Sequence, residues 1–173
     1  MARPKGGTAV AHNVVRFLSV LFVALCLAPA LAHLLELPNK INLAREQYHT
    51  VQQIYRGWAL LGVVIFAALL STLALAVVSR RSRPAFRWAV VAFVALVAAQ
   101  GVFWTWTYPA NRATDNWTTL PENWEHLRAR WEYSHAAGAG LNLVAMVAVI
   151  LAVLPPAEGR DRAAGEEAGG PGG

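Results

Sequence analysis

Three carboxylate–imidazole pairs are written into this chain: His33-x-x-Glu36, Glu46-x-x-His49 and Glu132-x-x-His135. Each has the i, i+3 spacing that sets two side chains on one face of a helix. Imidazole with carboxylate is a donor set for iron, manganese, zinc or copper, and four-helix bundles with carboxylate-bridged metals use Glu-x-x-His pairs in this way. A non-haem metal ion held by His33, Glu36, Glu132 and His135 is therefore one expectation. A second needs no cofactor: histidine titrates near neutrality without large tuning, so His135 can serve as a general base. Glu132 would orient it, as carboxylates orient ligating imidazoles. A b-type haem between His33 and His135 is the third arrangement.

The neighbouring pattern supplies walls for a ligand. Gln100, Trp104, Tyr108 and Asn111 recur at intervals of four, four and three, which makes one polar-aromatic stripe on a helix. Glu132, His135, Ala139, Asn142 and Met146 make another. Gln100 and Asn142 either hydrogen-bond each other across two helices or floor a pocket lined by Trp104, Tyr108 and Trp131. Asn111, with Arg128 or Arg130, is placed to stabilise a developing phenolate or enolate oxygen. Ala136–Gly140 (AAGAG) permits close helix approach or leaves room for a planar ligand. There is no phosphate loop, no Cys-x-x-Cys and no serine-nucleophile elbow.

The elements that position these residues are membrane spans. The chain has 173 residues, of which 56% are hydrophobic and 14% charged, and its apolar residues gather in four long uncharged runs. Each run matches the ~20 residues that cross a hydrocarbon core. The predicted class is all-α: an integral membrane bundle of four transmembrane helices with an outward-facing interfacial helix and loop. Residues 1–13 form a cytoplasmic segment and 14–156 the membrane domain, with spans over 14–37, 57–79, 88–108 and 130–154. The Gly-rich tail 157–173 has no large apolar side chain and is expected to be disordered. Pro29 should kink the first span, and Pro38-Asn39 should end it. Ala30-Leu31-Ala32 also fits a signal-peptide cut, but the apolar run continues past it to Leu37, which favours a retained span. Ile41, Tyr48, Val51, Ile54 and Tyr55 are spaced for an amphipathic interfacial helix. The third apolar helix should end within Trp104–Pro109, and the fourth should start near His126.

Basic residues set the orientation. Arg80, Arg81, Arg83 and Arg87 fall in one short connection without an acid, which predicts a cytoplasmic loop and both termini inside the cell membrane. Every histidine but His12, and every tryptophan but Trp88, then falls in the outward half. The positive charge reads as topology, not as nucleic-acid binding. The lone Cys26 excludes an intrachain disulfide.

Tyr108-Pro109-Ala110-Asn111, a Trp-containing loop, then Arg130-Trp131 and His135 opening the last span resemble the anthrone-oxygenase-like family of small four-span membrane proteins. The resemblance covers most of residues 14–154 and concentrates in 108–142. It implies Asn111, Trp131 and His135 as family positions. Where many members carry Asn just before the histidine and Arg two after it, this chain has Ser134 and Ala137. It further implies an oxygenase or oxidoreductase acting on a planar aromatic or quinone-like lipophile with dioxygen and no conventional organic cofactor. The rival expectation is a non-enzymatic membrane subunit whose aromatic surface docks a lipid or a protein. Expected partners are the bilayer and a lipophilic small molecule; the oligomeric state is left open.

Overall fold

A computed structural model describes residues 5–154; the tail predicted to be disordered, 157–173, lies outside them. Among the described residues the protein is all-helical. Helix α1 (Lys5–Lys40) leads into a short α2 (Arg45–Gln52) and two single 3-10 turns, Gln53–Tyr55 and Trp58–Leu60. Then come α3 (Leu61–Ser79), α4 (Arg83–Val102), a π-helical turn (Phe103–Thr107), α5 (Tyr108–Ala113) and α6 (Trp124–Val153). Four stretches, Ala9–Lys40, Trp58–Ser79, Arg83–Ala113 and Trp124–Val153, are long and apolar enough to cross a membrane. The protein is a four-helix, multi-pass membrane bundle.

Its packing is inverted relative to a soluble bundle. Ala68, Ala76, Ala89, Ala92, Ala145, Ala148 and Ala152 are buried between helices, while Phe17, Val63, Phe66, Leu70, Val94 and Val147 face outward. Lipid is as apolar as leucine, so burying large side chains drives nothing; small residues let helices approach and gain dispersion contacts. At Gly138 and Gly140, however, an added Cβ would meet open space, so AAGAG is not a site of close backbone approach.

Three boundaries differ from expectation. Helix α1 already begins at Lys5 and runs to Lys40, through both Pro29 and Pro38. Pro38 lies in the last turn, where the one donor it lacks matters little, and the Ile41 amide still donates to Leu37. The third span does not stop at Trp104–Pro109 either. Pro109 falls in the first turn of α5, where a missing N–H is harmless, and the π turn before it carries the chain on to Ala113. The last helix starts at Trp124, ahead of the span expected from residue 130.

The loop between α5 and α6 holds three consecutive non-glycine residues at positive φ: Asp115 (47°), Asn116 (53°) and Trp117 (64°). Left-handed backbone costs roughly 1–2 kcal/mol per residue, so something must over-determine it. The Asn116 amide donates to Asn111 O at 2.7 Å and the Thr119 amide to Thr114 O at 3.0 Å. The Trp117 amide is capped by the Thr114 hydroxyl at 3.1 Å, and its indole is buried. Across from this loop, α2 offers Arg45, His49 and Gln53, at i, i+4, i+8, as donors to the carbonyls of Leu120, Thr118 and Trp117. Loop and helix together cover one end of the bundle.

Candidate functional site

Beneath that cover the structure brings together four residues that the sequence pattern singled out. His33 of α1 and His135 of α6 stack with ring centroids 4.1 Å apart. Trp131, one turn before His135, lies 4.1 Å from it and 5.0 Å edge-on to His33. Tyr55 and Trp58 close the other sides of His33 at 4.6 and 5.4 Å. His33 is buried, and its Nδ1 has no hydrogen-bond partner. The result is an imidazole pair boxed by aromatic rings at the end of an apolar bundle.

Beside it lies a charged cluster whose centre the sequence reading missed. Lys40 is 2% exposed, and its ammonium reaches Glu36 Oε2 at 3.0 Å, Tyr55 Oη at 2.6 Å and Glu132 Oε1 at 3.3 Å. The Tyr55 hydroxyl also donates to Glu36 Oε2. From α2, the Tyr48 hydroxyl donates to Glu132 Oε1 at 2.9 Å and accepts from Gln52 Nε2. Burial, then the adjoining Glu132, pushes the Tyr48 phenol above its ordinary pKa; burial and the hydrogen bond to Glu36 do the same for Tyr55. Both hydroxyls therefore act as neutral donors. The ammonium also sits 4.5 Å from the Tyr55 ring and 4.8 Å from the Trp131 ring, a cation–π contact that joins the cluster to the imidazole box.

This geometry revises several expected roles. Glu132 does not orient His135, because its carboxylate is directed at Tyr48 and Lys40. Nor do His33, Glu36, Glu132 and His135 form a metal cage. Among the described residues no three His, Cys, Asp or Glu side chains converge as a metal site, and an ammonium already stands between the two carboxylates. The imidazole rings are in tilted contact, 4.1 Å between centroids, which leaves no place for an iron between them.

Asn111 is not an oxyanion donor in this arrangement. Its Oδ1 accepts two indole N–H groups, from Trp117 at 3.1 Å and Trp131 at 2.8 Å, and so clips the loop to α6. Arg130 donates to Thr105 O, and Arg128 donates to Leu43 O with its guanidinium over Trp124 and Tyr48. Asn142 donates to Gly138 O of its own helix at 2.8 Å, so it does not pair with the half-buried Gln100. Trp104 and Tyr108 stack on each other, 4.8 Å apart, but on the outer surface, 59% and 38% exposed. The π turn is the cause. The Tyr108 amide bonds Phe103 O, five residues back, and the extra residue re-aims everything after it. Thr107, Ala110 and Thr114 thereby become the inward face, with Thr107 Oγ1 bonded to Ser134 Oγ at 2.7 Å. His49 lies on the far face of α2 in the clasp to Thr118.

Two signals could have found the missed residues: the Glu36-x-x-x-Lys40 spacing, and Tyr48, Gln52 and Tyr55 recurring at i, i+4, i+7. No family model, no curated protein and no solved structure matches this chain.

Proposed function

We propose that the protein is a membrane oxidoreductase of the anthrone-oxygenase-like kind, acting on a planar aromatic or quinone-like lipophile at the His33–His135 pair. The observation that carries this reading is the imidazole pair itself, in ring contact inside an aromatic box of Trp131 and, from the 53–60 turns, Tyr55 and Trp58. Aromatic walls favour a flat apolar substrate, and an imidazole nitrogen beside them can accept a proton from an activated carbon acid. His135 takes a proton from a ring methylene beside the carbonyl. The enolate passes its electrons to dioxygen as a C–O bond forms, and protonation gives a hydroperoxide; loss of the carbon's second proton then breaks the O–O bond, leaving one oxygen as the new carbonyl and the other as water. No metal step is required.

A substrate reaches the pair by displacing Tyr55 and Trp58. The hinge between them is Gly57, at φ 90°, a conformation that a side chain would strain. Both flanking 3-10 turns lack buried residues, which suits a segment that moves. The arginine-rich turn at Arg80–Arg83 would be cytoplasmic by the positive-inside rule, which puts the imidazole pair near the outer face of the cell membrane.

The test is dioxygen uptake by detergent-purified protein with a tricyclic ketone bearing an activated methylene, compared with His135→Ala and His33→Ala. Loss of uptake in both variants, with unchanged helical content and gel-filtration profile, supports the reading. Uptake equal to wild type in both variants refutes it. A folded wild type inert toward all such ketones would return the protein to the partner-binding class.

A further inference from the structure

Three buried polar atoms at this site have no partner: Nδ1 of His33, Oε2 of Glu132 and Oε1 of Gln52. Their residues are 5%, 1% and 3% exposed. Around them the charges do not balance if every group is ionised, since one ammonium faces two carboxylates. Glu36 holds the shorter contact to Lys40, accepts the Tyr55 hydroxyl on the same oxygen, and has a side chain 32% exposed to surroundings that can solvate the other oxygen. Glu132 receives Lys40 and Tyr48 on Oε1 alone. Among the described residues no cation other than Lys40 pairs with either carboxylate. From α2 and the turn after it come the phenols of Tyr48 and Tyr55 and the amide of Gln52. On α6 itself, Arg128 spends its guanidinium on Leu43 O and the rings of Trp124 and Tyr48. From α1, His33 contributes an imidazole whose Nδ1 has no partner.

An ionised carboxylate buried in a membrane bundle with one oxygen unpartnered is costly, and such groups neutralise instead. One ammonium with one carboxylate and one carboxylic acid makes the cluster neutral. We propose that Glu132 is a resident carboxylic acid, protonated at Oε2, and that Glu36 is the ionised partner of Lys40. The acid then offers a donor without an acceptor, and the neutral His33 ring an acceptor without a donor. Trp131 touches the His33 ring on one side and the ammonium on the other. Glu132 is thus the proton donor that works with the imidazole pair. It gives its proton to the oxygen leaving as water and recovers one from the imidazolium formed when His135 deprotonates the substrate. The protonation is independent of the reaction proposed above, whereas this role in turnover rests on it.

Infrared spectroscopy of the full chain at neutral pH, in an ester-free maltoside detergent so that lipid carbonyls do not interfere, tests the protonation without any substrate. The expected result is a carboxylic-acid C=O band that shifts down in D2O, is absent in Glu132→Gln, moves in Glu132→Asp and stays in place in Glu36→Asp. Because Gln is a neutral isostere of the acid, Glu132→Gln is expected to melt with the wild type. Should that variant fail to fold, Glu132→Asp serves in its place and is expected to move the band rather than delete it. A folded wild type without the band overturns the proposal, as does a band that moves in Glu36→Asp or stays in place in the Glu132 variants. A band that behaves as expected in a protein that consumes no dioxygen leaves the protonation standing and removes the reaction.

Discussion

Lys40→Met gives the most direct reading of how this protein is held together at its polar end. The ammonium is buried, with three polar contacts at 2.6–3.3 Å and two aromatic faces within 5 Å. Methionine keeps most of the volume and the apolar stem but removes every donor. Glu36 then loses its counter-charge, and Glu132 is left with the Tyr48 hydroxyl as its one donor. Breaking a buried pair by deleting one partner costs about 3–5 kcal/mol, and the partial solvation of Glu36 argues for about 3. At roughly 2–4 °C per kcal/mol for a chain of this size, the melting midpoint should fall by roughly 6–12 °C. Intrinsic tryptophan fluorescence in detergent follows it, since Trp131 lies against the ammonium. A second variant sharpens the test. Lys40→Met combined with Glu36→Gln and Glu132→Gln removes the orphaned charge as well, and should recover most of the loss, because an all-neutral core escapes the desolvation penalty. A Lys40→Met protein that melts with the wild type, or a triple variant no better than the single one, would show that the cluster is not the electrostatic centre described here.

Four further outcomes are expected. Asn111→Leu strands the indole N–H groups of Trp117 and Trp131, and should destabilise by about 2–6 kcal/mol at ~1–3 per buried unsatisfied donor, read from the same melting curve. Trp131→Ala should cost about 3–5 kcal/mol, whereas Trp104→Ala, on the outer surface, should stay within about 0.5; equal effects would contradict the placement of the two rings. Deleting Thr105 turns the π turn into an ordinary α turn, and should carry Asn111 away from both indoles, visible as a red shift of tryptophan emission. Tyr48 and Tyr55 have raised phenol pKa values when folded, so above the ordinary value of 10.0 the unfolded chain releases protons that the folded one keeps. Stability is therefore fully present below that pH and falls as pH rises past it; the Tyr48→Phe/Tyr55→Phe double variant should lose that alkaline slope.

Much of the architecture is legible in one dimension because lipid imposes it locally. Four uncharged runs of sufficient length must each become a helix, since no other backbone satisfies its own hydrogen bonds in hydrocarbon. The interfacial helix followed from apolar spacing, and His33, Trp131 and His135 were identifiable because ionisable and amphipathic residues at a span end are uncommon. That His33 and His135 share one site was expected from their common end of the bundle, but that their rings touch directly was not legible: they are about a hundred positions apart, and the antiparallel packing of α1 on α6 sets that contact. The Glu-x-x-His spacing also misled at Glu132. The residue at i+3 was available, but Lys40 and Tyr48 from other helices offered stronger partners to a buried carboxylate. The Gln100–Trp104–Tyr108–Asn111 stripe failed because its arithmetic assumes an unbroken 3.6-residue period. One π turn, set by a proline downstream and packing on α6, divides it into a lipid-facing half and an inward-facing remainder. Local periodicity thus decided which segments are helices and which end holds the polar groups. Tertiary packing decided which charges face one another, because a buried ion is stabilised by its nearest opposite charge in space, wherever that residue lies along the chain.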